Sequence, residues 1–189
     1  MFLLGCGMVE EGWVTVLEGR HDEGLARIVQ GMDVCRGSGA VLEFPHCWAA
    51  LADAYRVAGR IEDALHAVRD GLAQASETSA RFNEAELHRL RGELLLLCSS
   101  PKPDEAERCF REALKIAQSQ RAKSLELRAA TSLGRLLDQQ GKRDDGRRLL
   151  AEAYSWFTEG FDTADLKEAR ALLDSWTPEK TGSAQEPFP

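Results

Sequence analysis

Three arginines, Arg89, Arg128 and Arg135, carry the clearest chemistry in this sequence. A guanidinium group presents a planar fork of N–H donors that fits a carboxylate or a phosphate. Glu93 follows Arg89 by four positions and Asp138 follows Arg135 by three. On a helix these spacings also allow intrahelical ion pairs, each worth only about 0.3–0.5 kcal/mol. The arginines therefore either bind a ligand or belong to a solvated helix face, and the sequence leaves both open.

No motif for catalysis or nucleotide binding has the required spacing. A P-loop needs G-x-x-x-x-G-K-[ST], and Gly134 to Gly141-Lys142 does not match it. His21-x-Glu23 lacks the Pro-Cys-x-x-Cys that follows it in zinc deaminases. We therefore expect a non-catalytic protein that needs no cofactor.

The histidines and cysteines do not form a recognisable site either. His46 and Cys47 are adjacent, and neighbouring residues on a helix point about 100° apart. The four histidines form no i, i+4 pair, and no C-x-x-C occurs, so the spacing indicates neither a metal site nor a redox pair. We expect reduced, mostly buried thiols at five positions: Cys6, Cys35, Cys47, Cys98 and Cys109.

Charge and hydropathy exclude several classes of partner. The 189 residues include 24 Lys and Arg against 31 Asp and Glu, a formal charge of −7, which argues against nucleic acid and anionic membranes as general partners. The basic residues of segment 142–148 are interrupted by acidic ones and are expected to be solvated. The sequence contains no run of 18 apolar residues and no secretory signal. We expect a cytoplasmic protein, and its apolar start is typical of a piece of a longer one.

Small residues recur at a nearly fixed period. One series has gaps of 40, 40 and 42 residues and a second has gaps of 40, 42 and 40. Paired helices cross at about 8–10 Å, and the closest point between them has no room for a large side chain. The two series are therefore predicted to be contact points of successive helical hairpins: Gly12, Ala52, Gly92 and Gly134, and Gly24, Ala64, Ala106 and Gly146.

Each period reads as two helices joined by a short turn. In the second period Trp48, Leu51, Ala52 and Tyr55 form an apolar stripe, and Gly59 ends it. No strand-like alternation persists, so the sequence predicts an all-α fold. We expect units at about 1–39, 40–79, 80–120 and 121–160, a capping helix over 162–176 and a disordered tail over 177–189.

The motif Trp48-x-x-Leu51-Ala52-x-x-Tyr55, followed by Gly59 and then by Ala64 and Val68, resembles the tetratricopeptide repeat. The period is 40–42 rather than 34, and the usual proline near each repeat end is missing. A longer period of this kind resembles the C-terminal repeat arrays of large bacterial signalling ATPases that carry a cyclase or transcription-activator domain. The similarity is greatest over residues 84–96 and 106–117. The resemblance implies a right-handed superhelical array of about four repeats with a concave groove. The resemblance does not imply that this chain has the catalytic activity of those ATPases.

The groove is the predicted functional surface. We expect a protein-interaction and regulatory module for signal transduction, in which a bound peptide or neighbouring domain biases the ATPase part. Self-association through apolar residues such as Trp13, Val14 and Val16 at the N-terminal end is the alternative. The outward positions of the first helix of each unit are Trp13, Val16, His46, Asp53, Arg56, Glu86, Arg89, Glu93, Arg128, Thr131, Arg135 and Asp138.

Overall fold

A computed structural model describes residues 2–38, 44–78 and 81–177, and every regular element in these ranges is an α-helix. The predicted all-α fold is confirmed. The tail predicted over 177–189 lies outside the described residues except for Thr177. The helices are α1 (Phe2–Leu17), α2 (His21–Gly37), α3 (Phe44–Val57), α4 (Ile61–Thr78), α5 (Glu84–Leu97), α6 (Pro103–Ser119), α7 (Lys123–Gln139), α8 (Arg143–Ser155) and α9 (Ala164–Ser175).

In three hairpins a glycine follows the first helix, in the way the sequence predicts for Gly59. Gly19, Gly59 and Gly141 have φ angles of +88°, +73° and +78°, and each follows the end of α1, α3 or α7. Only glycine adopts this left-handed conformation without strain, so the chain can reverse within a few residues. The third hairpin turns differently, with Pro103 as the first residue of α6, where its missing N–H leaves no intrahelical bond unmade.

Small residues lie at the contact points of the first and fourth hairpins, whereas in the third hairpin Gly92 packs against the Phe110 ring. A Cβ atom on Gly12 would lie 2.7 Å from the carbonyl oxygen of Gly24, and one on Gly146 would lie 2.8 Å from that of Gly134. No real Cβ tolerates such distances, so α1 and α2, like α7 and α8, meet backbone to backbone. In the second hairpin, Ala52 and Ala64 are both fully buried.

The first hairpin has a second close approach that the sequence did not indicate. A Cβ on Gly5 would lie 2.7 Å from the carbonyl oxygen of Gly31. Gly5 and Gly12 are seven residues apart, about two turns of α1, so the two helices stay in close contact over that length.

The helices form two rows. Each odd-numbered helix contacts the next odd-numbered one, whereas consecutive even-numbered helices from α2 to α8 do not contact one another within the described ranges. The odd row is therefore the more closely spaced side of the array. α9 packs on α7 and α8 and buries Leu166, Ala169 and Trp176. No helix in the described part of the chain has both the length and the hydropathy to cross a lipid bilayer.

We predict that Gly12→Ala destabilises the protein and that Gly7→Ala, on the same helix, stabilises it. The methyl group at position 12 would meet Gly24 and Ile28, whereas nothing lies within 4 Å of a Cβ at position 7. Overpacking costs about 1–3 kcal/mol, and replacing an exposed helical glycine gains about 0.5–1 kcal/mol. Urea unfolding followed by circular dichroism measures both. Equal midpoints for the two variants would contradict the backbone contact.

Candidate functional site

The odd-numbered helices carry two adjoining hollows that together we call the groove. The N-terminal hollow has a volume of about 350 Å³ and the C-terminal hollow about 260 Å³, and they share Asp53 and Arg128. The N-terminal hollow is lined by Glu10, Trp13, His46, Ala49, Ala50, Asp53, Asn83, Glu86, Leu125 and Arg128. The C-terminal hollow is lined by Asp53, Arg56, Arg89, Glu93, Arg128, Thr131, Ser132, Arg135, Asp165 and Glu168.

The structure brings nearly all predicted groove residues together. Four helices contribute predicted residues to the groove lining. They are Trp13 on α1, His46, Asp53 and Arg56 on α3, Glu86, Arg89 and Glu93 on α5, and Arg128, Thr131 and Arg135 on α7. Val16 does not line it, because its side chain is fully buried in the core.

Asp138 also lies elsewhere, which corrects its predicted position. It is at the end of α7, where Arg143 Nε donates to Oδ1 at 2.6 Å and Trp176 Nε1 donates to Oδ2 at 2.9 Å. The hydrogen bonds from Arg143 and then from Trp176 lower the pKa of this carboxyl group. The Arg135–Asp138 pair that the spacing allows does not form, and Arg135 Nη2 instead donates to Glu168 on α9 at 2.5 Å.

A buried ion-pair network joins the two hollows, with Glu86 in the lining of the N-terminal hollow and Arg89, Glu93 and Ser132 in that of the C-terminal hollow. Glu86 and Arg89 were predicted to point outward, but only 6% and 7% of their surfaces are exposed. Arg89 Nε and Nη2 donate to the two oxygens of Glu86 at 2.9 and 2.7 Å. Arg89 Nη1 donates to Glu93 within α5, as its spacing allows, and to Ser132 Oγ on α7. Ser132 Oγ in turn donates to Glu93 at 2.9 Å, so the network joins α5 to α7.

The arginines keep Glu86 ionised despite its burial. Burial alone raises the pKa of Glu86, but the charge and hydrogen bonds of Arg89, with the charge of Arg128, outweigh that effect and lower the pKa overall. Burial by itself lowers the pKa of Arg89, and the carboxylates of Glu86 and Glu93 more than reverse this. Arg89 therefore positions neighbouring groups, and its donors are occupied within the protein.

Three arginines of the groove stay partly exposed. Arg56 binds Asp53 Oδ1 through Nε at 2.8 Å and Nη2 at 2.7 Å. Arg128 reaches Glu86 at 3.0 Å and Asp165 at 3.9 Å, and Arg135 binds Glu168. The side chains of these three arginines are 32–42% exposed. An incoming anionic group can reach Arg128 and Arg135 by replacing Asp165 and Glu168, whose side chains are 43% and 49% exposed, and breaking such solvated pairs costs little.

The N-terminal hollow is chemically different. Trp13 Nε1 donates to Asp53 Oδ2 at 2.9 Å, which fixes the indole ring between α1 and α3. His46 lies 2.6 Å from Glu10 through Nε2 and 3.1 Å from Asn83 Nδ2 through Nδ1. Between these polar pairs the surface is apolar and suits an uncharged side chain; it consists of the Trp13 ring with Ala49, Ala50 and Leu125.

The sequence missed several groove residues, and the repeat period contains a signal for some of them. Hydrogen bonds between consecutive odd-numbered helices join residues about one repeat period apart in sequence. Trp13 and Asp53 are separated by 40 residues, and Glu93 and Ser132 by 39. Adding one period to Glu93 would therefore have pointed to Ser132. The other missed residues are Glu10, Ala49, Ala50, Asn83, Leu125, Asp165 and Glu168.

The groove lining combines charged and apolar groups. Within residues 2–38, 44–78 and 81–177, no three His, Cys, Asp or Glu side chains come together in a way that could hold a metal ion. The polar side chains that line the groove are paired with one another through hydrogen bonds and ion pairs, as described above. Guanidinium groups beside an apolar surface fit a ligand with both carboxylate and apolar groups.

Comparison with known proteins places the chain beside a much larger relative. No protein family model matches it. An uncharacterized protein of Rhizobium meliloti (strain 1021) is 31% identical to it over 134 residues. The matched region covers 71% of this chain and 13% of that protein, so the chain spans about an eighth of the relative's length.

We predict that Glu86→Gln lowers the free energy of unfolding by about 2–3 kcal/mol at pH 7, because it removes one partner of a buried ion pair. The pKa of Glu86 is lowered in the folded state, so its stabilisation is complete above the ordinary carboxyl value near 4.5. It is lost as the pH falls through the folded pKa, and the deficit of the glutamine variant must shrink below about pH 4.5. Urea unfolding at pH 7.0, 5.5 and 3.5 measures this.

The matched control for this experiment is Glu112→Gln. Glu112 is a half-exposed carboxylate on α6, 3.5 Å from Lys115. Its loss changes stability by less than about 0.5 kcal/mol at each pH. A Glu86→Gln deficit as small as that of the control would show that the network contributes no net stability.

Proposed function

We propose that this chain is a non-catalytic interaction module whose groove binds an extended polypeptide segment, either a peptide or part of a neighbouring domain. The observation that carries the proposal is that α1, α3, α5 and α7 each direct side chains into one groove. These side chains combine partly exposed arginines with an apolar surface at the other end. A ligand that reaches from one hollow to the other must be elongated, which favours a polypeptide.

The chemistry of the two hollows defines the preferred segment. Arg56, Arg128 and Arg135 favour carboxylate side chains in the C-terminal hollow. The surface formed by Trp13, Ala49 and Ala50 favours an apolar side chain in the N-terminal hollow. The best ligand is therefore an acidic segment that also carries an apolar anchor, and the anchor fixes its direction in the groove.

The wider role follows from the resemblance to long-period tetratricopeptide repeats. We propose that the chain is the repeat region of a larger cytoplasmic bacterial signalling or transcription-regulating ATPase, in which groove occupancy biases the activity of the ATPase part. The small share of the Rhizobium meliloti relative that the chain covers supports a place within a long polypeptide. The long helical hairpins and their 40- to 42-residue period support the repeat class.

We predict that Arg135→Gln weakens binding of acidic peptides about five- to twentyfold, because it removes one charge-assisted hydrogen-bonding group from the C-terminal hollow. Glu168→Gln should strengthen binding, because it removes the carboxylate that competes for Arg135. Suitable probes are fluorescein-labelled decapeptides with one leucine and three glutamates at varied spacing, each matched by a peptide with glutamine in place of every glutamate. Fluorescence anisotropy gives the dissociation constants.

Arg111→Gln is the control for charge, because Arg111 lies on α6 and pairs with Glu107 there. It must leave binding unchanged. Equal effects of Arg135→Gln and Arg111→Gln would show that the peptides sense net charge alone. The absence of measurable binding across the whole panel would count against the groove as a peptide site.

The exposed face of α1 supports a second candidate function, self-association. Leu3, Leu4, Val14 and Leu17 are 82%, 58%, 48% and 52% exposed. At the other end of the array, the exposed face of α9 is polar, with Lys167, Arg170 and Asp174 among its residues. Single exposed apolar residues are ordinary, but several on one helix face are typical of an interface.

We predict that the chain forms dimers at tens of micromolar concentration and that Val14→Glu with Leu17→Glu abolishes them, because the charges would have to be buried in the interface. Leu97→Glu, at a residue of α5 that is 54% exposed, is the control and leaves dimerisation intact. Sedimentation equilibrium at several concentrations measures the dissociation constant. A strict monomer at all concentrations would exclude this role.

A further inference from the structure

Two cysteines meet across the first helical hairpin. Cys6 on α1 and Cys35 on α2 are 29 residues apart in sequence, and their Sγ atoms are 3.9 Å apart. Cys35 is fully buried and Cys6 is half-buried. The other cysteine of the hairpin region, Cys47, belongs to α3.

The backbone packing makes this pair suitable for a covalent bond. A Cβ on Gly5 would lie 2.9 Å from the backbone nitrogen of Cys35, so the two helices are nearly in backbone contact beside Cys6. Disulfides need Cα atoms about 4.4–6.8 Å apart and sulfur atoms about 2.05 Å apart. The Sγ atoms must therefore approach by about 2 Å, a distance that rotation about the Cα–Cβ bonds can supply.

We propose that Cys6 and Cys35 are a site of reversible disulfide formation that fastens α1 to α2. The oxidant is a small-molecule disulfide such as glutathione disulfide. The half-buried Cys6 is the thiol that such a molecule reaches first, and the buried Cys35 is the resolving thiol.

The reaction balances in two thiol–disulfide exchanges. Cys6 loses its proton, and its thiolate attacks one sulfur of glutathione disulfide. A Cys6–glutathione mixed disulfide forms, and one glutathione thiolate leaves. The Cys35 thiolate then attacks Cys6 Sγ, forms the Cys6–Cys35 bond and releases the second glutathione thiolate. Two protein thiols are oxidised, one glutathione disulfide is reduced, and the two protons end on the two glutathione molecules.

The bond would act on the first hairpin that the structure describes. Within the described residues α1 contacts only α2 and α3, so it has fewer neighbours there than α5, and a helix with few packed neighbours opens at a lower free-energy cost. α1 also carries Glu10 and Trp13 of the groove. A link that encloses the intervening residues restricts the unfolded chain, so we expect the melting temperature to rise by roughly 5–10 °C.

The test uses the full chain incubated with glutathione disulfide, alkylated with iodoacetamide and digested with trypsin without reduction. Cleavage after Arg20, Arg27 and Arg36 places Cys6 in peptide 1–20 and Cys35 in peptide 28–36, whereas Cys47 falls in peptide 37–56. Mass spectrometry is expected to find peptides 1–20 and 28–36 joined with the loss of two hydrogen atoms. Dithiothreitol must separate them and reverse the rise in melting temperature.

Two variants keep the test decisive. Cys98→Ala leaves both partners in place, so it must still form the link, whereas Cys6→Ala must lose both the link and the thermal shift. A stable Cys6–glutathione adduct without the link would overturn the proposal. So would a link from either cysteine to Cys47, or thiols that all remain reduced.

Discussion

The close approach of paired helices at glycine and alanine is the constraint on which the rest of this fold depends. At Gly12, Gly24 and Gly146, a Cβ atom would lie under 3 Å from a backbone oxygen of the facing helix. Small residues recur at these positions about every forty residues, and the hairpins pack with consecutive odd-numbered helices in contact. The stacking places the odd helices side by side, so that side chains at repeated positions enter a single groove.

The buried Glu86–Arg89 pair shows how the groove combines rigidity with binding capacity. Taking two charges out of water is costly, and the cost is offset only where geometry and hydrogen bonds are nearly complete. Arg89 meets that condition through Glu86, Glu93 and Ser132. The same completeness removes Arg89 from ligand binding, although its position in the sequence suggested that role. In the proposed binding mode, anion binding therefore falls to Arg128 and Arg135, whose partners Asp165 and Glu168 are exposed to solvent.

The sequence was sufficient for features that depend on one residue's size or backbone freedom. It predicted that Gly59 ends α3 and that small residues let the backbones of the first and fourth hairpins meet, because steric limits act on residue identity directly. It was insufficient where the outcome depends on how one hairpin tilts against the next. Arg135 binds Glu168 rather than Asp138 because α9 approaches α7 closely enough to compete with the intrahelical partner. Cys6 and Cys35 meet for a related reason, since crossing helices bring together residues that no local motif connects.

The last helix links the stability of the array to its binding surface. α9 covers the apolar end of α7 and α8 with Leu166, Ala169 and Trp176. Next to these apolar residues, α9 also carries Asp165, which lies near Arg128, and Glu168, which pairs with Arg135 of the groove. In the proposed function, a ligand carboxylate at those arginines would displace Asp165 and Glu168 and leave the apolar contacts of α9 in place. Because exposed ion pairs contribute little and the apolar contacts remain, α9 can exchange its carboxylates for those of a ligand and still cap the array.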